Sequence, residues 1–177
     1  RARCGFGTYF LPGHFEDHWV AEYWNESEKR WILVDAQLDA FQRGVLNVSF
    51  DPLDVPRDCF IAGGAAWRMC REGVADPNAF GIFDMRGMGF VGSNLVRDVA
   101  ALNKVELLPW DCWGMMLERD TDDSDLALLD RLAELTEGDV PDFGAVCELY
   151  ESDPRLKAGA TIHSFVQGEM KVVELEL

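Results

Sequence analysis

The chain has 177 residues, enough for one domain or one domain with an appendage, and 48% of them are apolar, which is ample for a core. It carries 32 acidic against 16 basic residues, a net charge of −16 that repels polyanions and makes nucleic acid a poor partner. It contains no apolar run long enough for a transmembrane helix, and its five scattered cysteines form no C-x-x-C pair, which speaks against a zinc site or a disulfide framework and for reduced thiols in the cytoplasm.

Residues 3–10 read as a strand in which Gly5 and Gly7 mark a bulge or a close backbone approach. Residues 11–17 form a loop turning at Pro12-Gly13, with Glu16 and Asp17 expected to be exposed. From His18 the chain alternates: Trp19, Ala21 and Tyr23 face one way, Val20, Glu22 and Trp24 the other. A charged turn over 25–30 leads into a β-favouring return, Trp31-Ile32-Leu33-Val34. This hairpin brings its open ends together, and with them His18 and Asp35. A carboxylate beside an imidazole fixes its tautomer and stabilises the imidazolium, two of the three roles in a nucleophile–base–orienter triad. From the pattern alone, a His and an Asp at hairpin ends fit solvated edge residues as readily. His14 and His18 have the i, i+4 spacing of a helical metal pair, but Pro12-Gly13 argues against a helix there.

Residues 51–56 are a breaker-rich link, with Asp54 or Asp58 placed to cap a helix over 60–71. The small residues Gly63-Gly64-Ala65-Ala66 in that helix suit close packing against the sheet. Residues 76–92 hold Gly81, Gly87, Gly89 and Gly92, which read as a packed loop or lid without a long regular element. An amphipathic helix over 93–106 follows, capped by Ser93, with Leu95, Val99 and Leu102 inward and Asn94, Arg97, Asp98, Asn103, Lys104 and Glu106 outward. An Arg97–Asp98 ion pair and Trp110 and Trp113 in the core belong to this reading. The acidic turn over 120–125 caps a helix over 126–136, residues 143–151 form another, and 161–177 form a hairpin about Gln167-Gly168-Glu169 with a structural His163. The expected class is α+β, with residues 1–119 as core plus extension and 120–177 as a helical and hairpin appendage, in the same domain or a separate one.

The pattern H-W-x-x-E-x-W (His18, Trp19, Glu22, Trp24) followed by W-x-x-x-D (Trp31, Asp35) resembles the His and Asp segments of the transglutaminase-like superfamily. Residues 2–10 are similar to the strand that follows the nucleophile-bearing helix in that family. Residues 89–114 resemble a block of one bacterial subgroup, to which no role is attached. The resemblance implies a papain-like antiparallel sheet with packed helices and a Cys-His-Asp site, with His18 as general base and Asp35 as its orienter. Trp19 and Gln37 are the candidate substrate contacts. The family's cysteine lies upstream of the strand; here Cys4, the only cysteine before His18, falls on the strand and reads as a small half-buried residue. The chain is therefore expected to be a fragment that carries base and orienter without their nucleophile, inactive alone.

The implied chemistry is thiolate attack on a peptide or protein amide, protonation of the leaving amine by His18, and release of the thioester by water or by a second amine. That is an amide hydrolase or an acyltransferase, with no cofactor or metal required and no nucleic-acid or membrane partner. The competing class is a catalytically inactive scaffold of the same fold, which tolerates a buried or unpaired His18 and predicts a large exposed apolar patch.

Overall fold

The computed structural model describes residues 1–117 and 122–175. β1 (Ala2–Gly7), β2 (Phe15–Asn25) and β3 (Arg30–Val34) form an antiparallel meander. β2 ends where Asn25 turns its side-chain oxygen onto the N–H groups of Ser27 and Glu28, a local bond that competes with strand pairing. β4 (Phe60–Ala62) runs antiparallel to β1, β5 (Phe80–Ile82) runs parallel to the start of β2, and β6 (Met85–Arg86) closes a short hairpin with β5. The result is a mixed six-strand sheet, β4-β1-β2-β5-β6, with β3 also on β2. β3 takes residues 21–25 of β2 and β5 takes residues 15–16, both on the edge away from β1. Between them, residues 17–20 of that edge have no strand partner among the described residues. The split falls at His18.

Gly5 is the reason β1 and β4 can pair so closely: a Cβ there would lie 2.2 Å from the Ile61 carbonyl oxygen. Where β4 ends, the carboxylate of Asp98 takes over the edge of β1, accepting the Cys4 N–H at 2.9 Å and the Arg3 guanidinium at 2.9 and 2.8 Å. Arg3 also donates to the Thr136 carbonyl at 3.0 Å and stands 3.4 Å from Glu22, all of it buried.

Five helices complete the described fold: α1 (Ala40–Leu46), α2 (Gly63–Arg71), α3 (Met88–Leu102), α4 (Asp123–Thr136) and α5 (Phe143–Ser152). The main core joins Phe6 and Phe80 of the sheet to Trp67, Leu95, Val99, Leu132 and Val146 of the helices. A smaller cluster, Val20, Leu33, Val55 and Phe60, lies on the other face. Residues 60–71 are not one helix; the first three pair with β1, and the helix starts at Gly63 with no side-chain cap, so neither Asp54 nor Asp58 caps it. Its glycines admit helices rather than the sheet: a Cβ at Gly63 would meet Leu95 of α3, and one at Gly64 would meet Thr136 of α4.

α3 departs most from the sequence reading. It begins at Met88, through the glycine-rich stretch, because Gly87 turns the chain at a φ of 96° and Gly92 lets the Trp67 ring lie against the helix. Burial of the helix between sheet and neighbouring helices overrides the low propensity of its glycines. Ser93 caps nothing; its hydroxyl donates back to the Gly89 carbonyl. Asn94, Arg97 and Asp98 are buried rather than outward. Asp98 pairs with Arg3, not with Arg97. Trp113 is in the core, whereas Trp110 is exposed.

The expected boundary at 119/120 and the start of the acidic turn fall in residues 118–121, outside the described residues. Asp122 caps α4 through the N–H groups of Ser124 and Asp125, and α4 and α5 share the main core with α2 and α3. β7 (Thr161–Val166) and β8 (Glu169–Glu174) form the expected hairpin, its Gln167-Gly168 turn at positive φ throughout. A backbone bridge between Cys112 and His163 ties that hairpin to the segment after α3. Among the described residues no helix is long and apolar enough to cross a membrane.

Replacing Arg3 by Met leaves the buried Asp98 carboxylate without its ion-pair partner, while Glu22 keeps Arg1 and Arg57, and will destabilise the fold by about 3–5 kcal/mol in urea unfolding.

Candidate active site

His18 stands on β2 opposite Gly5 of β1, on the face shared by Val20 and Glu22. The register Ala21↔Val34, carried one residue further, sets Asp35 across from Val20 and so diagonal to His18 on the same face. Asp35 is held there by its backbone N–H, which donates to the Pro52 carbonyl at 2.8 Å. The outcome is a hydrogen bond of 2.7 Å between His18 Nε2 and Asp35 Oδ2, with both residues buried. The hairpin ends do meet, and they are not solvated edge residues.

Asp35 has two further donors. The Tyr9 hydroxyl shares Oδ2, and the Gln37 backbone N–H reaches Oδ1 at 2.9 Å. Burial pushes the Asp35 carboxyl up, but the bonds from His18 and Tyr9, the adjacent imidazole and the Gln37 N–H outweigh it and hold the group below its ordinary range. The Tyr9 hydroxyl is driven the other way, by burial first and then by the carboxylate it serves. Tyr9 and Phe10 meet the His18 ring edge-on, with ring centroids at 5.9 and 4.9 Å, and Phe50 packs on Tyr9. Gly7 makes room for them, since a Cβ there would lie 2.5 Å from the Phe10 ring.

The second ring nitrogen, Nδ1, has no hydrogen-bond partner among the described residues. With Asp35 ionised and accepting the proton on Nε2, the lone pair sits on Nδ1. The arrangement can therefore take up and return a proton at Nδ1.

Cys4 faces away from this pair. It is opposite Trp19, so strand alternation turns its thiol to the α3 side of the sheet, where it is fully buried. Burial, followed by the carboxylate of Asp17, pushes the Cys4 thiol well up, the reverse of an activated nucleophile. Trp19 likewise lies on the face opposite His18. Gln37 touches the site through its backbone, with an exposed side chain. Glu16 and Asp17 are not exposed; Glu16 pairs with Arg86 at 2.8 Å and Asp17 accepts from Asn94 at 2.7 Å. Burial raises the Asp17 carboxyl against the pull of Asn94 and Arg97. Tyr9 and Phe10 are the site residues the sequence reading missed, because nothing in their spacing points back across the sheet to Asp35. Among the described residues no group of three or more His, Cys, Asp or Glu side chains could hold a metal ion.

Comparison with protein-family models, with curated proteins and with solved structures finds no match. The site therefore stands on its own geometry.

Two outcomes follow. The Asp35 carboxyl, depressed on folding, contributes stability that is complete above the unfolded value of about 3.9 and is lost as pH falls through the folded value. Tyr9→Phe will raise the Asp35 pKa in a carboxyl 13C titration and cost about 1.5–3 kcal/mol at pH 7, a difference that shrinks once Asp35 is protonated. In native-state alkylation with iodoacetamide followed by peptide mass analysis, Cys4 will stay unmodified while the partly exposed Cys112 and Cys147 react.

Proposed function

We propose that this chain carries the general base and orienting carboxylate of a cysteine-dependent amide hydrolase or acyltransferase of transglutaminase-like, papain-like fold. The observation that carries the reading is the buried His18 Nε2–Asp35 Oδ2 bond of 2.7 Å beside an Nδ1 without a hydrogen-bond partner among the described residues. The aromatic wall of Tyr9 and Phe10 gives the ring a fixed seat, which a proton carrier requires and a solvated histidine does not. An antiparallel meander with helices packed on one face is compatible with the fold.

The reading calls for a thiol at His18 Nδ1 other than that of Cys4, which lies on the other face of the sheet. Its proton passes to Nδ1, and the thiolate attacks the carbonyl carbon of a peptide or protein amide. As the C–N bond breaks, the imidazolium, stabilised by Asp35, returns the proton to the leaving amine. Water or a second amine, deprotonated by the same nitrogen, then releases the thioester, and that choice separates hydrolysis from transamidation.

A second reading, a binding module of the same fold, draws on a different feature. Phe83, Met85, Trp110, Phe165 and Met170 are all exposed and border one apolar cleft of about 360 Å³. Extension of the coding frame upstream of Arg1 separates the two. The enzyme reading expects a cysteine at the head of a helix and, in the extended protein, a loss of amide turnover of about 100-fold or more with His18→Ala. An extended protein without that cysteine, or indifferent to His18→Ala, leaves the binding module in place of the enzyme.

A further inference from the structure

α2 and α3 pack antiparallel: Gly63 lies against Leu95, and one turn further along α2 the Trp67 ring lies against Gly92, earlier in α3. The next turn of α2 therefore sets Arg71 level with the start of α3. Arg86 lies just before that start, which is Met88. With α4 and residues 112–116, these elements border a cavity of about 570 Å³ along the face of α3 that carries Gly89, Ser93 and Arg97.

The charge of this cavity is the reverse of the chain's. The sequence has 32 acidic and 16 basic residues, yet the lining holds three arginines and no aspartate or glutamate. Its polar side chains are Arg71, Arg86, Ser93, Arg97, Cys112 and the Trp67 indole, and the rest is apolar. Arg71 donates through Nε and Nη2 to Asp130 at 3.0 Å, and its Nη1 has no hydrogen-bond partner among the described residues. Trp67 also donates to Asp130, at 2.7 Å. Arg86 donates to Glu16 at 2.8 Å and to the Phe83 carbonyl at 2.9 Å, with longer contacts of 3.4 Å to Ala79 and His14. Neither Asp130 nor Glu16 lines the cavity, and the Arg71 and Arg86 side chains are 41% and 21% exposed. Arg97 stands about 12 Å along α3 from Gly89 and is buried. Its nitrogens donate to the Asp111 carbonyl, Asn94 Oδ1 and Cys112 Sγ, none of them a carboxylate. It reaches Asp17 only through the Asn94 amide. A buried guanidinium without a carboxylate partner is costly, and its charge favours an anion beside it.

The start of α3 adds donors at the open end. Gly87 supplies no side-chain cap, the first turn carries no acid, and the N–H groups of Met88, Gly89 and Phe90 have no acceptor among the described residues. The helix dipole makes this end positive. Gly89 is exposed, and a Cβ on it would meet nothing within 4 Å. Unmet N–H donors between two guanidinium groups suit a head with several acceptor oxygens, and Phe90, Val96, Met115 and Leu129 suit an apolar body. We propose that this cavity binds an organic phosphate monoester. Its phosphoryl group meets the Met88 and Gly89 N–H groups between Arg71 and Arg86, and its apolar body lies along α3 toward Arg97. The site shares no residue with the His18–Asp35 pair and does not rest on the catalytic reading.

Naphthyl phosphate is the probe, with naphthol and inorganic phosphate as its two halves. The 177-residue chain is titrated with each by calorimetry and by backbone amide resonances. Naphthyl phosphate will bind saturably and move the Met88 and Gly89 amide resonances, and each half will bind at least about tenfold more weakly. Arg71→Gln removes an exposed charge whose pair with Asp130 contributes little to stability; it will weaken the probe about fivefold or more with Tm unchanged. Gly89→Leu fills the open end and improves the helix; it will abolish binding with Tm unchanged or raised. Equal binding of naphthyl phosphate and either half, full affinity in either variant, or no saturable binding would overturn the proposal. So would binding that leaves the Met88 and Gly89 resonances unmoved.

Discussion

The buried pair of Arg3 and Asp98 is the contact on which the rest of the molecule turns. β1 has β4 along only part of its outer edge, and beyond that point its N–H groups need another acceptor. Asp98, from the buried side of α3, supplies it and neutralises Arg3 in the same stroke. Arg3 in turn reaches α4 at Thr136 and β2 at Glu22, whose two oxygens also draw in Arg1 and Arg57. Four elements are thus fixed by one small group of charges in a chain that is otherwise strongly acidic. Such a group contributes little net stability when complete, because desolvation offsets attraction, but it makes any other placement of β1 against α3 unfavourable.

That placement has a consequence for chemistry. β1 sets Gly5 opposite His18 and sends Tyr9 and Phe10 back over the imidazole, so strand pairing rather than a loop decides where the ring stands. On the other side, β3 and the Pro52 carbonyl fix Asp35. The pair is assembled from paired backbone on two sides, and Asp35 is fully occupied by its donors. A site on such supports holds its geometry without a ligand, as a proton-transfer group needs.

The two faces of β2 have different characters. The His18 face is a small cluster with one polar pair. The Trp19 face opens onto a large, mostly apolar space that the β7–β8 hairpin walls off. The hairpin is held to the body by the Cys112–His163 bridge, and its own packing is light, with most of β8 exposed. Alternation along a single strand therefore separates a self-satisfied pair from a mostly apolar cavity.

Local pattern by itself determined the β2–β3 hairpin, the meeting of His18 and Asp35, the close approach at Gly5, the helices after residue 122 and the Gln167-Gly168 turn. Each depends on neighbours in sequence, on period-two alternation or on a residue whose backbone freedom is intrinsic. Tertiary structure alone decided that α3 begins at Met88 and is buried on its polar side. It also decided that Asp98 belongs to Arg3, that Tyr9 serves Asp35, and that Trp19 and Cys4 turn away from the imidazole toward a different space. Those outcomes depend on partners up to 95 residues apart, whose packing overrides glycine's poor helix propensity and pays for buried charge. No periodicity in the chain records them.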